Sequence, residues 1–254
     1  MPDFAHGRLS KIYLNGVDLS RVFNSLSVTA GYDTSETTTF GQGYQSFITG
    51  LRNGGEVSLD GRVEAPGGTL LRAALMSAEG RDDSLLSLSY GLDSVGGLGN
   101  SLRGLLSSKE FTAAAEDIAA VTLGFAGNRG VDDTRVLQGG ATIITATGNS
   151  TAVDDVVASA TGAQAIAYMH ILEVTGGTAP TVAVKVQDSP DNSTWTDLVT
   201  FTTFGPTAVG TAQRGVVNDP PARYVRASWT ITGTPTAVRI AVQFARGRPG
   251  EDVS

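Results

Sequence analysis

The sequence has 254 residues, enough for one large domain or two ordinary ones, and no cysteine, which excludes disulfides, thiolate metal sites and a cysteine nucleophile. Charged residues are 17% of the chain, below the roughly 25% of an average globular protein, and Thr, Ser, Ala, Val and Gly take their place, which favours β-structure. The formal net charge is −7 and neither half has a basic patch, so attractive binding to nucleic acid is not expected.

The first part of the chain predicts β-strands on both sides of a long polar segment. Residues 8–14 and 25–30 are predicted strands, with a tight turn at Asn15-Gly16 between them. Residues 31–50 are rich in Thr, Ser and Gly and are predicted to form a long loop, and a loop of that length in a compact domain usually has a function. Residues 56–64 alternate polar and apolar side chains, which is typical of a half-buried strand with one side facing solvent.

A single helix is predicted after these strands. Thr69 is suited to the N-cap, residues 70–76 have strong helix propensity, and Gly80 ends the helix. Its apolar side is expected to cover one side of a sheet. Three further strands are predicted at residues 84–90, 105–113 and 118–126, and the last two are expected to form a hairpin.

The composition shifts near residues 128–133, and we place a domain boundary there, which gives domains 1–134 and 135–254. In the second domain, short β-strands alternate with turns that contain Gly and Pro, a pattern typical of a β-sandwich of jelly-roll or Ig-like type. Trp195 and Trp229 are predicted to lie in its core. The predicted strands are residues 141–146, 154–159, 165–174, 181–188, 196–203, 214–217, 223–230 and 238–245.

The sequence contains no motif that supports an enzyme, a cofactor site or a metal site. Its two histidines, His6 and His170, are not in a metal-binding spacing, and His170 lies in an apolar predicted strand where we expect it to be buried. Aspartate doublets at residues 82–83, 132–133 and 154–155 each lie next to a turn or strand end, where Asp makes local hydrogen bonds, so we expect solvated turns. No apolar run is long enough for a secretory signal or a membrane span, so we expect no membrane insertion.

Segments of the first half carry a family resemblance. Leu14 to Ser20 reads LNGVDLS, Thr38 to Gly41 reads TTFG, and Gly50 to Gly61 reads GLRNGGEVSLDG. With the predicted helix that follows, these segments resemble the major tail tube proteins of long-tailed (siphovirus-like) bacteriophages and related gene-transfer particles, over residues 8–130. The second half, with VKVQDS from Val184, resembles the C-terminal β-sandwich appendages of phage structural proteins, and it also resembles carbohydrate-binding sandwiches.

The resemblance implies a fold, a location and a set of partners. The expected fold is mainly β: a tail-tube-type β-sandwich/barrel with one backing helix, followed by a second all-β sandwich on the tube exterior. Copies of the chain would form hexameric rings that stack into a tube and conduct DNA during ejection without binding it specifically. The expected partners are further copies and the tape measure, terminator and baseplate proteins of a virion tail that is assembled in the host bacterial cytoplasm.

The tube hypothesis assigns roles to two sets of side chains. A cationic lumen would bind phosphates and stall DNA, whereas an acidic or neutral polar wall would not. We therefore expect the solvent-facing side of residues 56–64 to line the lumen, although the same side chains on the exterior of the assembly are the alternative. The lumen candidates are Glu56, Ser58, Asp60, Arg62 and Glu64, with Ser25, Ser27, Thr29, Ser87, Ser89, Ala120 and Thr122 on other strands. The loop candidates for contact between subunits are Asp33, Glu36, Thr38, Phe40, Tyr44 and Phe47.

A second function stays open from the sequence. The chain is alternatively a carbohydrate- or host-surface-binding module carried on a phage structural protein, with the second half active. Such a site needs an aromatic side chain close to Asp or Asn, and the candidate glycan contacts are Asp191, Asn192 and Trp195.

Overall fold

The computed structural model describes residues 7–37, 44–64, 69–91, 93–235 and 237–247. The structure is mainly β, as predicted, and the described residues contain one α-helix, α1 (Thr69–Ala78). The strands of the first half are β1 (Lys11–Leu14), β2 (Val17–Asp18), β3 (Phe23–Thr29), β4 (Tyr32–Glu36), β5 (Phe47–Arg52), β6 (Glu56–Arg62), β7 (Ser84–Ser89), β8 (Leu98–Thr112) and β9 (Ala120–Gln138). Those of the second half are β10 (Gly148–Asn149), β11 (Val153–Asp154), β12 (Gln164–Thr175), β13 (Thr181–Ser189), β14 (Thr196–Thr200), β15 (Thr211–Val217), β16 (Tyr224–Thr232) and β17 (Ala237–Gly247). Short 3-10 helices lie at Gly7–Leu9 and Pro206–Ala208.

The predicted turn at Asn15-Gly16 connects β1 to β2. Both residues have positive φ, 46° and 84°, which is the geometry that suits a two-residue hairpin and favours Asn-Gly. The Asn15 side chain donates from Nδ2 to Ser77 O at 3.0 Å, and its Oδ1 accepts from Leu85 N at 2.8 Å. A Cβ on Gly16 would lie 2.4 Å from Thr211 O, so only glycine allows the turn to pack against β15 of the second half.

The largest sheet contains ten strands in the order β15-β12-β17-β9-β8-β7-β1-β2, with β6 and β3 attached to β9 as a branch. The hairpin β8–β9 is long enough to pair with strands of both halves of the chain. Residues 120–126 of β9 pair with β6, whereas residues 134–138 pair with β17. Register shifts in β8 near Gly104 and Ser108 mark the irregularities along this hairpin.

The first hydrophobic core lies between β1, β3, β6, β7, β8, β9 and the helix α1. Its members include Leu14, Leu59, Leu86, Leu123 and Phe125, all at most 1% exposed. The helix contributes Leu71, Ala74 and Ala78, which lie on one side of it at spacings of three and four residues. The helix therefore covers the sheet as predicted, and Gly80 follows it with φ of 74°.

The second core is enclosed by two sheets, and the predicted β-sandwich is observed. The strands β15, β12 and β17 of the large sheet face a five-stranded sheet in the order β10-β16-β13-β14, with β11 also paired to β16. Trp229 is buried in this core, and its Nε1 donates to Ala146 O at 3.0 Å, as expected for a buried indole. Trp195 is only half-buried and is not part of the core, so its predicted position is wrong.

Two predicted strands of the second half are largely absent. Residues 139–142 form a turn in which Thr142 N donates to Gly139 O, and of residues 143–146 only Ile144 makes a bridge, to Val238. The prediction for residues 154–159 is also wrong, since the strand stops at Asp154 and Val156 has φ of 70°, which an extended strand does not accommodate.

The boundary predicted between residues 134 and 135 lies inside β9. The two cores do change over near it: Val131 is the last residue of the first core, and Leu137 is the first β9 residue of the second. The backbone is nevertheless continuous strand from Ala120 to Gln138, and the sheet continues from one half into the other. The division into domains 1–134 and 135–254 stays a prediction.

The segment predicted to be a long loop contains a two-stranded hairpin. Tyr32–Glu36 pairs with Phe47–Arg52, and Thr37 N donates to Ser46 O at 2.8 Å beyond the last pair. Residues 38–43 at its tip lie outside the described residues. The expectation of a structureless loop is wrong because the two Thr- and Ser-containing segments satisfy each other's backbone hydrogen bonds. Among the described strands this hairpin, which we call the arm, pairs only with itself.

Candidate functional site

The strand β6 has the predicted alternation. Glu56, Asp60 and Arg62 are exposed and Ser58 is half-buried, whereas Val57 and Leu59 are buried in the first core. Glu64 follows the strand, and its carboxylate accepts a hydrogen bond from Leu70 N in the first turn of α1. Of the five lumen candidates, four therefore lie together on one side of β6, and Glu64 instead supports the positive N-terminal end of the helix.

The exposed side of β6 extends over its neighbours through the strand register. Asp60 lies between Ser25 of β3 and Thr122 of β9, and the Thr122 hydroxyl donates to Asp60 Oδ1 at 2.8 Å. Thr122 in turn lies opposite Glu110 of β8. We call this surface the polar face, and its members are Ser25, Ser27, Thr29, Glu56, Ser58, Asp60, Arg62, Ala120, Thr122, Gly124, Ser108 and Glu110.

The polar face is mainly acidic. It carries the carboxylates of Glu56, Asp60 and Glu110 and, among its described members, a single cation, Arg62. Lys109 belongs to the opposite side of β8, where its ammonium lies 2.5 Å from Glu79 next to the helix. A phosphate backbone would be repelled by, or indifferent to, such a surface.

Small side chains keep the polar face shallow. A groove of about 330 Å³ runs over it, lined mainly by Ser and Thr side chains with Glu56 and Gly124. A Cβ on Gly124 would lie 2.4 Å from Ser108 Oγ, so glycine is what allows β9 and the bulged part of β8 to approach here.

The four strands of the polar face end in two open edges. Within the described residues, β3 pairs only with β6, and β7 stops pairing with β8 at Gly104. Residues 105–112 of β8 therefore have only β9 beside them in the described structure. Open edges expose rows of unpaired N–H and C=O groups and are sites where another strand pairs. The two edges lie on opposite sides of the order β3-β6-β9-β8.

The arm exposes the side chains proposed for contact between subunits. Asp33 and Glu36 are exposed on β4. Tyr44 is 74% exposed and Phe47 57% exposed, so two large aromatic side chains face solvent. The other two arm candidates, Thr38 and Phe40, lie outside the described residues.

A second polar cluster, which the sequence patterns did not predict, is enclosed between the two halves. Ser87 and Ser89, expected on the solvent-facing side, are fully buried. Ser87 Oγ lies 2.8 Å from Ser101 Oγ and 2.9 Å from His170 Nε2, and Ser101 donates to Gln243 Oε1 at 2.8 Å. We call Ser87, Ser89, Asp93, Ser101, Thr134, His170 and Gln243 the buried polar layer.

His170 is buried as predicted, and its neighbours fix its protonation. Gly16 N donates to Nδ1 at 3.2 Å, so Nε2 carries the proton and donates to Ser87 Oγ. Burial lowers the pKa of His170 to about 3, which keeps the ring neutral. The histidine is therefore a structural hydrogen-bonding group between the halves.

Asp93 lies at the end of the buried polar layer away from His170 and accepts three hydrogen bonds there. Its carboxylate accepts from Tyr13 OH at 2.6 Å, from Ser89 Oγ at 2.8 Å and from Gly140 N at 2.9 Å. Burial raises the pKa of Asp93, and these hydrogen bonds counteract the rise. The layer thus joins β1 and β7 of the first half to the chain that enters the second half.

The aspartate doublets have mixed environments. Asp132 is buried within β9 and accepts from Tyr168 OH at 2.6 Å, so its assignment to a solvated turn is wrong. Asp154 is exposed, and two hydrogen bonds of 2.7 Å from Arg223 lower its pKa to about 2. One signal for the buried cluster was present in the sequence: Tyr168 and His170 share one side of an otherwise apolar strand.

The candidate glycan-contact residues lie in and beside the turn that follows β13, and their contacts stabilise it. The Asp191 carboxylate accepts from Ser193 N at 2.9 Å and Thr194 N at 2.8 Å, which holds its pKa well below the usual range. The Arg226 guanidinium covers the Trp195 ring at 4.0 Å from the centroid. Internal contacts therefore occupy the Asp191 carboxylate and one face of the Trp195 ring, which are the groups that a bound sugar would need.

Within the described part of the chain, no three His, Cys, Asp or Glu side chains are placed to hold a metal ion. Among the described helices none is long and apolar enough to cross a membrane.

Comparison with solved structures gives distant similarity to parts of phage and phage-like particles. A chain of an extracellular contractile injection system, the PVC sheath–tube complex in its extended state, is 19% identical and covers 52% of this chain and 93% of its own length, with a TM-score of 0.42. A chain of the virion of a native gene transfer agent particle is 14% identical and covers 51% of this chain and 98% of its own, with a TM-score of 0.38. The SPP1 Dit protein, a paradigm of the hub adsorption apparatus in phages that infect Gram-positive bacteria, is 12% identical and covers 94% of this chain and 99% of its own, with a TM-score of 0.36.

No known protein family and no curated protein matches the sequence. At these identities and TM-scores, structural similarity does not establish a shared function.

Proposed function

We propose that the chain is a structural subunit of a phage-type tail tube, in which copies form hexameric rings that stack around a DNA-conducting lumen. The observation that carries this proposal is the polar face, which is mainly acidic and is bordered by two open strand edges. The sequence resemblance of residues 8–130 to major tail tube proteins supports it independently.

The two edges provide a way to close a ring. If β3 of one copy pairs with residues 105–112 of β8 in the next, each four-stranded sheet becomes a segment of a continuous barrel without edges. About six new backbone hydrogen bonds at roughly 1 kcal/mol each give about 6 kcal/mol per junction, before the loss of freedom on association. Side-chain contacts from the arm would add to this modest value.

The polar face then forms the lumen wall. The carboxylates of Glu56, Asp60 and Glu110 repel phosphates, and the Ser and Thr hydroxyls between them make no strong contact with a passing duplex. Arg62 is the exception on this surface. A wall of this kind allows DNA to pass without holding it.

The remaining parts of the chain have roles at the outside of the tube. The arm, with Tyr44 and Phe47 exposed, contacts a neighbouring copy, and the second sandwich lies on the exterior. The partners in this scheme are further copies and the tape measure, terminator and baseplate proteins. The location is the virion tail, after assembly in the host bacterial cytoplasm.

Electron microscopy of the purified protein tests the proposal, and matched proline variants identify the interface. In an antiparallel edge strand, neighbouring residues direct their N–H groups alternately toward the paired strand and toward the open edge. Of Ser27→Pro and Val28→Pro, one removes an inward N–H and destabilises the fold, and the other removes an outward N–H and leaves the monomer intact.

We expect rings or tubes for the wild type and monomers for the outward-facing proline variant. Circular dichroism and thermal melting identify which variant has kept its fold. Rings formed equally well by that variant would show that β3 is not the junction, and discrete wild-type monomers at all concentrations would contradict self-assembly.

A further inference from the structure

A basic pocket lies where the two halves meet. It has a volume of about 550 Å³ and is lined by the end of α1, by β7 and β8, and by β15. The side chains that matter for its chemistry are Arg81, Arg103, Arg214, Asp83, Leu85 and Val216. Three guanidinium groups thus surround one carboxylate, in a chain whose net charge is −7.

The three arginines are not equally engaged. Arg81 holds Asp83 through two hydrogen bonds of 2.8 and 3.0 Å. Arg214 lies over the Tyr168 ring and donates to Tyr168 OH at 3.2 Å. Arg103 is half-buried, and within the described residues its guanidinium makes no hydrogen bond or ion pair, although it attracts Asp83 electrostatically. A half-buried guanidinium with unused donors favours a carboxylate or a similar anion.

A complementary segment exists elsewhere in the same chain. Residues 113–118, which form most of the connection between β8 and β9 and which we call the acidic turn, are all exposed and contain Glu116 and Asp117. Ile118 is 65% exposed, and the adjoining Phe111 is 53% exposed. No Lys or Arg occurs between Glu110 and Asn128. The acidic turn therefore offers two carboxylates beside apolar side chains, and the basic pocket offers guanidinium groups beside Leu85 and Val216.

The acidic turn does not reach the basic pocket of its own copy. Arg103 and Thr112 belong to the same strand, β8, and nine residues of strand at about 3.3 Å each separate them by about 30 Å. Donor and acceptor surfaces at opposite ends of one strand give head-to-tail contacts, and contacts of this type extend indefinitely or close into rings.

We propose that the acidic turn of one copy binds in the basic pocket of another, with a carboxylate of Glu116 or Asp117 on Arg103 and Ile118 against Leu85 and Val216. This inference rests on the proposed self-assembly, because it names one contact through which copies join. It concerns surfaces other than the open edges of β3 and β8, so the two contacts are separable.

Because the chain has no cysteine, engineered thiols report the contact directly. Ala115→Cys places a thiol on the acidic turn and Ala212→Cys places one in the basic pocket. The two proteins are purified separately, mixed under mild oxidation, and analysed for the heterodimer on a non-reducing gel. Thr151→Cys, an exposed residue of a different groove, is the matched control for Ala212→Cys.

We expect the heterodimer for the Ala115/Ala212 mixture at about ten times the yield of the Ala115/Thr151 mixture. Adding Arg103→Glu to the pocket protein should remove most of that excess, and adding Glu116→Arg with Asp117→Arg to the other protein should restore it. Arg103→Gln, which keeps size but not charge, should give an intermediate yield. Yields equal to the control, or unaffected by Arg103→Glu, would overturn the proposal.

The cross-linking experiment and the search for rings or tubes can fail separately. Heterodimers without rings or tubes would support this contact and contradict the proposed function. Tubes without heterodimers would support the proposed function and contradict this contact. Stabilisation of the wild type by inorganic phosphate, combined with control-level cross-linking, would show that the basic pocket takes a free anion instead of the acidic turn.

Discussion

The polar face and the buried polar layer are two serine-rich regions with opposite surroundings. Ser25 and Ser27 on the polar face are open to solvent, whereas Ser87 and Ser89 are enclosed by the second half. In both regions the serines alternate with core residues along a strand. The alternation determines which side chains share one side of a strand, and whatever folds against that side determines whether it is wet or dry.

The energetic consequences of the two regions differ. The hydroxyl of a serine on the polar face is hydrogen-bonded to water in both the folded and the unfolded state, so it contributes little to stability. A serine in the buried polar layer must have a partner, because an unsatisfied buried hydroxyl costs about 1–3 kcal/mol. No buried side-chain donor or acceptor lacks a partner in the described residues, so the layer is complete. Removing one member therefore leaves others unpaired.

The largest effect is expected at Asp93. Asp93→Ala removes the acceptor of Tyr13 OH, Ser89 Oγ and Gly140 N at once, so we expect a loss of about 3–5 kcal/mol in the free energy of unfolding. Asp60→Ala on the polar face is the matched control, with an expected change within about 0.5 kcal/mol. Urea denaturation followed by circular dichroism measures both. Equal losses in the two variants would contradict the distinction between the regions.

An intermediate effect is expected from pH, through His170. The unfolded chain protonates this ring near its ordinary pKa of 6.5, whereas burial lowers the folded-state pKa to about 3. Below pH 6.5 the unfolded state therefore binds a proton that the folded state does not, and stability falls as the pH decreases. We expect a loss of about 2 kcal/mol between pH 6.5 and 5.

The variant His170→Gln isolates this contribution, since the other titrating groups are unchanged. The difference in unfolding free energy between wild type and variant should shrink as the pH falls through that window. A constant difference would mean that His170 is also protonated in the folded state.

The smallest effect on stability, but a clear change in binding, is expected on the polar face. Glu56→Lys with Asp60→Lys should alter the unfolding free energy by less than about 1 kcal/mol, because both positions are exposed. The assembled double variant should retain duplex DNA in a salt-dependent way, whereas the wild type should not. Co-sedimentation at several salt concentrations measures this, with Glu79→Lys away from the polar face as the control. Retention by the control alone would place the polar face outside the lumen.

Local patterns predicted the elements that depend on local physics. The Asn-Gly turn, the helix with its terminal glycine, and the alternating strand β6 each follow from neighbouring residues, although Thr69, predicted as the N-cap, is the first residue of the helix itself. The polar side of β6 was also foreseeable from its alternation. The hairpin in the arm was not, because its two strands are separated by residues with no strand pattern.

Long-range contacts explain what the sequence could not predict. Ser87 and His170 are 83 residues apart, and Ser101 and Gln243 are 142 apart. Nothing in the neighbourhood of Ser87 distinguishes it from Ser27, so its burial depends on where β12 and β17 fold. The open edges of the polar face likewise depend on where β7 stops pairing with β8, which is a property of the whole sheet.

The strand β9 belongs to both hydrophobic cores, with residues from Val121 to Val131 in the first and Leu137 in the second. Unfolding of either core disturbs a strand that the other core needs, so we expect the chain to unfold as one cooperative unit with a single calorimetric transition. A force applied to the second half would be transmitted along the continuous strand β9 into the sheet that carries the polar face. The two halves are therefore joined by a continuous β-strand instead of a flexible linker.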